Sequence, residues 1–183
     1  DALLAHARHG LDFLHGSMRD REHGAVHWRL APGGGAPGIE SEKHAYGLSF
    51  AIYAGASAYR ALKDPRALAL ARETFEWLER HAHDADYRGY TESLTRDGRL
   101  YLPPAPGRLD GIGTLVGYKS MNTPIHILEA FTALYEVWPD PLVRRRLEEV
   151  LSLVRDTIAV EPGCLNLFFT PDWRPVPDHA SFG

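Results

Sequence analysis

The sequence predicts an all-α domain of helical hairpins set around part of a ring, and three observations lead there. An apolar helix, an Asp-Pro turn and an amphipathic helix follow one another twice, around Lys63-Asp64-Pro65 and Pro139-Asp140-Pro141. The segment Glu42–Lys63 is apolar nearly all round and rich in small residues (Ala45, Gly47, Ala51, Ala54, Gly55), the pattern of a helix packed on most sides. Short extended runs recur after the first, third and fifth helices, at Gly24–Leu30, Gly89–Leu94 and Leu165–Phe169, a repeat of roughly 65 to 75 residues, longer than common solenoid periods. Inner and outer helices alternating around a ring, with short β segments in the loops of one rim, satisfy all three.

The elements follow in order. Ala2–His15 carries Leu3, Leu4, Ala7, Leu11 and Leu14 at helical spacing. Glu42–Lys63 is the buried second helix. Pro65–His83 is the third, with Asp64 as N-cap, Pro65 in the first turn, and Leu68, Ala71, Phe75 and Leu78 on one face. Pro124–Trp138 is the fourth, with Thr123 as its expected N-cap, and Pro141–Ile158 is the fifth, capped by Asp140. The loops Pro32–Gly38 and Leu102–Gly117 are rich in Pro and Gly and read either as functional rims or as disordered segments. Residues 1–183 are expected to form a single partial domain. The first helix lacks an inner partner, Asp1 opens directly onto a helical pattern, and Ser181-Phe182-Gly183 follows a Pro-rich loop, so both ends are expected to be internal boundaries.

Composition narrows the function. A net charge of −4 provides no basic field for nucleic acid. No apolar run approaches the length needed to cross a bilayer. One cysteine, Cys164, forbids an internal disulfide framework and fits a reducing, cytoplasmic setting. Ten histidines with four Trp, eight Tyr and seven Phe suit sugar binding, where rings stack on C–H faces, and equally suit a packed core.

Two constellations stand out. Asn122, His126 and Glu129 fall near one helix face, where an amide, an imidazole and a carboxylate can bind hydroxyls and move protons. Spacing alone favours the plainer assignment of a capping residue, a core histidine and a helix-internal acid. Glu42-Lys43-His44-Ala45-Tyr46 opens the buried helix at the same rim, and its plainer reading is a polar helix start. His23 and His27 lack a third ligand at zinc spacing. His81 and His83 suit a helix C-terminus. No phosphate loop, nucleophile elbow or Cys-x-x-Cys pair occurs.

Three ordered blocks resemble one family. Lys43-His44-Ala45-Tyr46 with Phe50–Ala54, Met121-Asn122 with His126-x-x-Glu129-Ala130 and Leu134-Tyr135, and Leu167-Phe168-Phe169 with Asp172-Trp173 and Ser181-Phe182-Gly183 are similar to blocks of the N-acylglucosamine 2-epimerase and cellobiose 2-epimerase family. The resemblance implies a partial (α/α)6 barrel with its site in a funnel at one end. It also implies interconversion of sugars at C2, as epimers or as aldose and ketose, by proton transfer through an enediolate after ring opening, with no metal or other cofactor. Carried over by position, His126 matches an active-site histidine, Asn122 its partner one turn back, and Tyr46 a funnel tyrosine, with Trp28 and Glu92 on rim loops. The family's two proton-shuttling histidines and its arginine fall outside residues 1–183, so the chain alone is expected to be inactive. The expected partner is a mono- or disaccharide, and the uncovered apolar faces of an open ring predict association into a homo-oligomer. N-acylglucosamine is the alternative substrate. A glycoside hydrolase or lyase on the same barrel, or a non-catalytic carbohydrate-binding array, is the alternative class; a hydrolase needs two flanking carboxylates, for which only Glu92 and Glu129 qualify.

Overall fold

The computed structural model describes residues 2–33, 35, 37–38, 41–101 and 108–176. Ser181-Phe182-Gly183 and part of each Pro- and Gly-rich loop lie outside the described residues. In chain order the elements are α1 (Ala2–Phe13) with a closing π-helical turn, β1 (Glu42–His44), α2 (Ala45–Leu62), α3 (Pro65–His81), β2 (Ser93–Thr95), β3 (Lys119–Ser120), α4 (Asn122–Val137), α5 (Pro141–Leu153) with a second π-helical turn, β4 (Ala159–Val160), β5 (Cys164–Leu165) and β6 (Phe168–Phe169).

Both Asp-Pro turns form as their chemistry dictates. The Asp64 carboxylate accepts the Arg66 amide at 2.9 Å and the Asp140 carboxylate accepts the Leu142 amide at 2.7 Å. Each satisfies a first-turn amide that no helical carbonyl can reach, and the proline has no amide to satisfy. Two expected starts differ. Residues Glu42–His44 are not helical; they pair antiparallel with β2, with Lys43 opposite Leu94. Thr123 is not the cap of α4, which begins at Asn122; its hydroxyl is already bonded to Glu92. A ladder therefore precedes each apolar helix, β1–β2 before α2 and β3–β6 before α4.

The apolar helix α2 packs on both α3 and α4, and α5 packs on α4. The main core lies between them, with Ile52, Phe75, Leu78, Ile127, Phe131 and Leu134 all buried. Phe75 and Phe131 meet edge to face at 5.1 Å. A smaller core of Leu153, Ile158, Phe169 and Trp173 lies under the C-terminal strands. Among the described residues, no helix is long and apolar enough to cross a membrane.

Candidate active site at the N-terminal ends of α2 and α4

Two buried lysines fix the loops that lead to this rim. The Lys43 ammonium donates to the Gly24 carbonyl, lies 3.1 Å from Asp20 Oδ2, and sits 4.8 Å from the Trp77 ring centroid. Burial alone would raise the Asp20 carboxyl; hydrogen bonds from Arg96, the His23 amide and Lys43 hold it well below the usual range. The loop carrying Trp28 is thereby tied to β1. The Lys119 ammonium bonds Asp84 Oδ2 at 2.7 Å and the Arg88 carbonyl at 3.0 Å, over the Trp173 ring. For each lysine burial pulls the ammonium below its ordinary value, and the paired aspartate opposes it.

His44 closes the N-terminus of α2. Its Nδ1 accepts the Tyr46 amide at 3.1 Å, so in the neutral ring the proton sits on Nε2, which lies 3.0 Å from Asp110 Oδ2. Burial would lower the imidazole, but the Asp110 bond and the charges of Glu92 and Asp110 lift it above its ordinary value. Glu42, His44 and Asp110 gather three potential metal-ligand atoms within 4.8 Å. They are wired as hydrogen bonds instead: His44 donates to Asp110, and Glu42 accepts Ser93 Oγ at 2.6 Å. A metal here would have to displace both bonds and the Nε2 proton.

Above this base lies a continuous set of rings. Trp28 stands 5.5 Å from His44 and 6.2 Å from Tyr46. Tyr46 meets Phe50 at 4.9 Å and His126 edge-on at 5.2 Å, and Phe50 lies 4.8 Å from His126. A cleft of about 380 Å3 opens beside them, walled by Trp28, His44, Gly47, Phe50 and Tyr53 with Met18. Phe50 and Tyr53 are exposed there at 41% and 46%, enough to offer ring faces to a ligand. Tyr46, Asn122 and His126 are not part of that wall; Tyr46 and His126 connect to it through Phe50.

His126 is part-exposed, and its Nδ1 lies 2.8 Å from Glu129 Oε2. A carboxylate on Nδ1 favours the tautomer that leaves Nε2 free as a proton acceptor. The Asn122 side chain, expected to hold His126 from one turn back, makes no hydrogen bond to the imidazole among the described residues; the bond there is to Glu129. Glu92 corrects the expectation of a rim residue. It is 1% exposed, accepts the Ser120 amide at 2.7 Å and hydroxyl at 3.0 Å, and accepts the Thr123 hydroxyl. Burial pushes this carboxyl up, opposed by the His44 charge and these donors. A carboxylate beneath a helix N-terminus is favourable, so Glu92 anchors α4 from within the fold.

Residues 1–182 match the family model described as N-acylglucosamine 2-epimerase (GlcNAc 2-epimerase). The chain belongs to the N-acylglucosamine 2-epimerase family. It is 36% identical to a cellobiose 2-epimerase of Ruminococcus albus, over all of this chain and 45% of that protein. A D-mannose isomerase of Pseudomonas cannabina pv. alisalensis is 27% identical over 93% of this chain and 37% of that protein. The solved structure of a cellobiose 2-epimerase from Spirochaeta thermophila superposes with a TM-score of 0.81 at 34% identity, covering 96% of this chain and 42% of that one. The chain thus spans less than half the length of these relatives.

Within the family's frame, the structure brings Trp28, Tyr46 and His126 together as one ring cluster, puts Asn122 one turn from it, and sets Glu92 below it. Sequence reasoning missed Asp110 and treated His44 as a polar helix start. The signal for His44 was present in its position directly before the Ala45–Leu62 helix, where a side chain can accept a first-turn amide. Nothing local marked Asp110 as its partner.

Proposed function

We propose that the polypeptide carrying this chain is a cytoplasmic sugar 2-epimerase or aldose–ketose isomerase of the cellobiose 2-epimerase kind. In this reading α2 and α4 are inner helices of a partial (α/α)6 barrel, and α3 and α5 are outer ones. The sugar is a mono- or disaccharide whose reducing end opens, loses the C2 proton to form an enediolate, and regains a proton at C2 or C1. The observation that carries the reading is the imidazole of His126, held by a carboxylate through Nδ1 and edged by Tyr46 and Phe50 beside an aromatic cleft. An imidazole so oriented suits proton transfer. Tyr46, Asn122 and Trp28 are the proposed sugar contacts. Proton transfer on both faces of C2 needs a second group, and His126 provides one at most. Residues 1–183 alone are therefore proposed to be inactive.

The test is product analysis with the full-length protein. Cellobiose is expected to yield its mannose-ended epimer, or glucose and mannose to interconvert with fructose, as read by NMR. A strictly hydrolytic product pattern would replace this reading with that of a glycoside hydrolase. N-acetylglucosamine as sole substrate would move it to the N-acylglucosamine branch.

A further inference from the structure

We propose that Gly47 and Gly111 are positioning residues that form a slot for the Trp28 indole, which so held is the sugar's aromatic platform; the platform rests on the sugar reading above. A Cβ on Gly47, in the first turn of α2, would fall 2.3 Å and 2.4 Å from Cε3 and Cζ3 of Trp28. A Cβ on Gly111 would fall 2.5 Å from Trp28 Nε1 and 2.7 Å from Glu42 Oε2. Neither glycine adopts a left-handed backbone, so conformational freedom does not explain them. Glycine within a helix is also less favourable than alanine. What both positions need is empty space, and the indole fills it.

The slot has two walls of different origin. Helix α2 holds the six-membered ring, and the 108–117 loop holds the pyrrole edge. That loop is tied down by Asp110, which accepts the Ile112 and Thr114 amides at 3.0 Å and 2.8 Å and meets His44 Nε2 at 3.0 Å. Glu42 adds a bond from the Gly111 amide at 3.2 Å. The indole nitrogen itself is buried and finds no hydrogen-bond partner among the described residues, so among them shape rather than hydrogen bonding sets the ring. An aromatic face fixed before the ligand arrives loses little freedom on stacking.

The test is a cycle in the full-length protein: Gly47→Ala, Trp28→Leu and both together, with Gly111→Ala as a probe from the loop side. Gly47→Ala is expected to raise KM roughly three- to tenfold, the scale of one aromatic contact, with kcat nearly unchanged because the proton-transferring groups do not move. Trp28→Leu should raise KM as much, and adding Gly47→Ala to it should raise KM no further, since leucine leaves room for the methyl group. The thermal midpoint should fall for Gly47→Ala in the wild-type background and stay level or rise in the Trp28→Leu background. An unchanged KM for Gly47→Ala, or an equal further loss in the Trp28→Leu background, overturns the proposal. If the full-length protein turns over no sugar, the sugar reading fails and the platform with it. The midpoints still decide the slot, and additive losses there would refute it.

Discussion

Residues 20–64 and residues 84–140 build the same frame and present different chemistry from it. In each, an aspartate accepts two nearby amides, Asp20 from Glu22 and His23, Asp84 from Asp86 and Tyr87. Each aspartate pairs with a buried lysine, Lys43 or Lys119, which also donates to a carbonyl and lies over an indole. A short strand then leads into an apolar helix that ends at an Asp-Pro turn. Counting from the lysines, His44, Tyr46 and Phe50 of the first unit stand where Ser120, Asn122 and His126 stand in the second. Counting from the aspartates, Trp28 stands where Glu92 stands. The frame is structural in both units; the candidate chemistry lies in what differs. Trp28 stays at the rim in its glycine slot, whereas Glu92 turns inward to hold α4.

Even the indoles reach their lysines by different routes. Trp77 comes from α3 and donates to the His23 carbonyl at 2.8 Å. Trp173 comes from the turn after β6, on a left-handed backbone, and donates to the Arg88 carbonyl at 3.1 Å. The turn after β2 has the same form as the turn after β6, with Thr95 bonded to Asp97 as Thr170 is to Asp172, and it carries Gly98 in the place of Trp173; a side chain at Gly98 would collide with His81. One requirement, a flat apolar cover on a buried cation, is met from whichever segment has room.

The comparison breaks first at its rim. In the full-length protein, His126→Ala is expected to lower kcat by roughly 10²- to 10⁴-fold, the worth of one general acid–base group, without loss of the folded state. Phe50→Ala, at the equivalent place, should act on KM instead. Equal effects on kcat would remove the distinction between the units. The lysines come next. Lys119→Met leaves the Asp84 charge, among the described residues, with the Asp86 and Tyr87 amides and should cost about 3–5 kcal/mol in chemical denaturation. Lys43→Met should cost less, because Arg96 still holds Asp20 through two bonds of 2.8 Å and 2.9 Å. The reverse order would show that the arginine is not a substitute.

Glu92→Gln should cost about 1–3 kcal/mol, the penalty for a buried acceptor replaced by a donor, with KM little changed. A large rise in KM at full stability would return Glu92 to the sugar. The smallest effect is in acid. Both Asp20 and Asp84 lie below their ordinary value in the folded protein. Each therefore contributes stability that is present above the unfolded carboxyl value of about 3.9 and is lost as pH falls through the lowered folded value. Urea midpoints from pH 6 to pH 2 should flatten in acid for Asp20→Asn and, to a lesser degree, for Asp84→Asn. A steeper acid limb in either variant would contradict the sign.

What the sequence shows plainly is local. Asp64-Pro65 and Asp140-Pro141 announce helix starts because cap and proline act within one turn, and the Ala- and Gly-rich run of α2 announces burial by composition. Tyr46 and His126 could be placed near one rim because each lies in the first turns of a helix. The rest depends on partners distant in the chain. Lys43 looks like a surface residue until Asp20, Gly24 and Trp77 surround it. Glu92 looks like a loop acid until Ser120 and Thr123 close over it. Asp110 sits in a segment legible only as Pro- and Gly-rich, and its role appears when the loop returns to His44.

In the proposed reading this frame holds His126 where it takes part in moving a proton at C2 of a sugar. The most direct test is deuterium wash-in at C2 of cellobiose, glucose, mannose and N-acetylglucosamine, with the full-length protein in heavy water beside its His126→Ala variant and residues 1–183 alone. Exchange at C2 of at least one of these sugars is expected with the wild type, with a loss of orders of magnitude in the variant and none with residues 1–183. No exchange on any sugar by the full-length protein, or wild-type exchange in the His126→Ala variant, would contradict this reading.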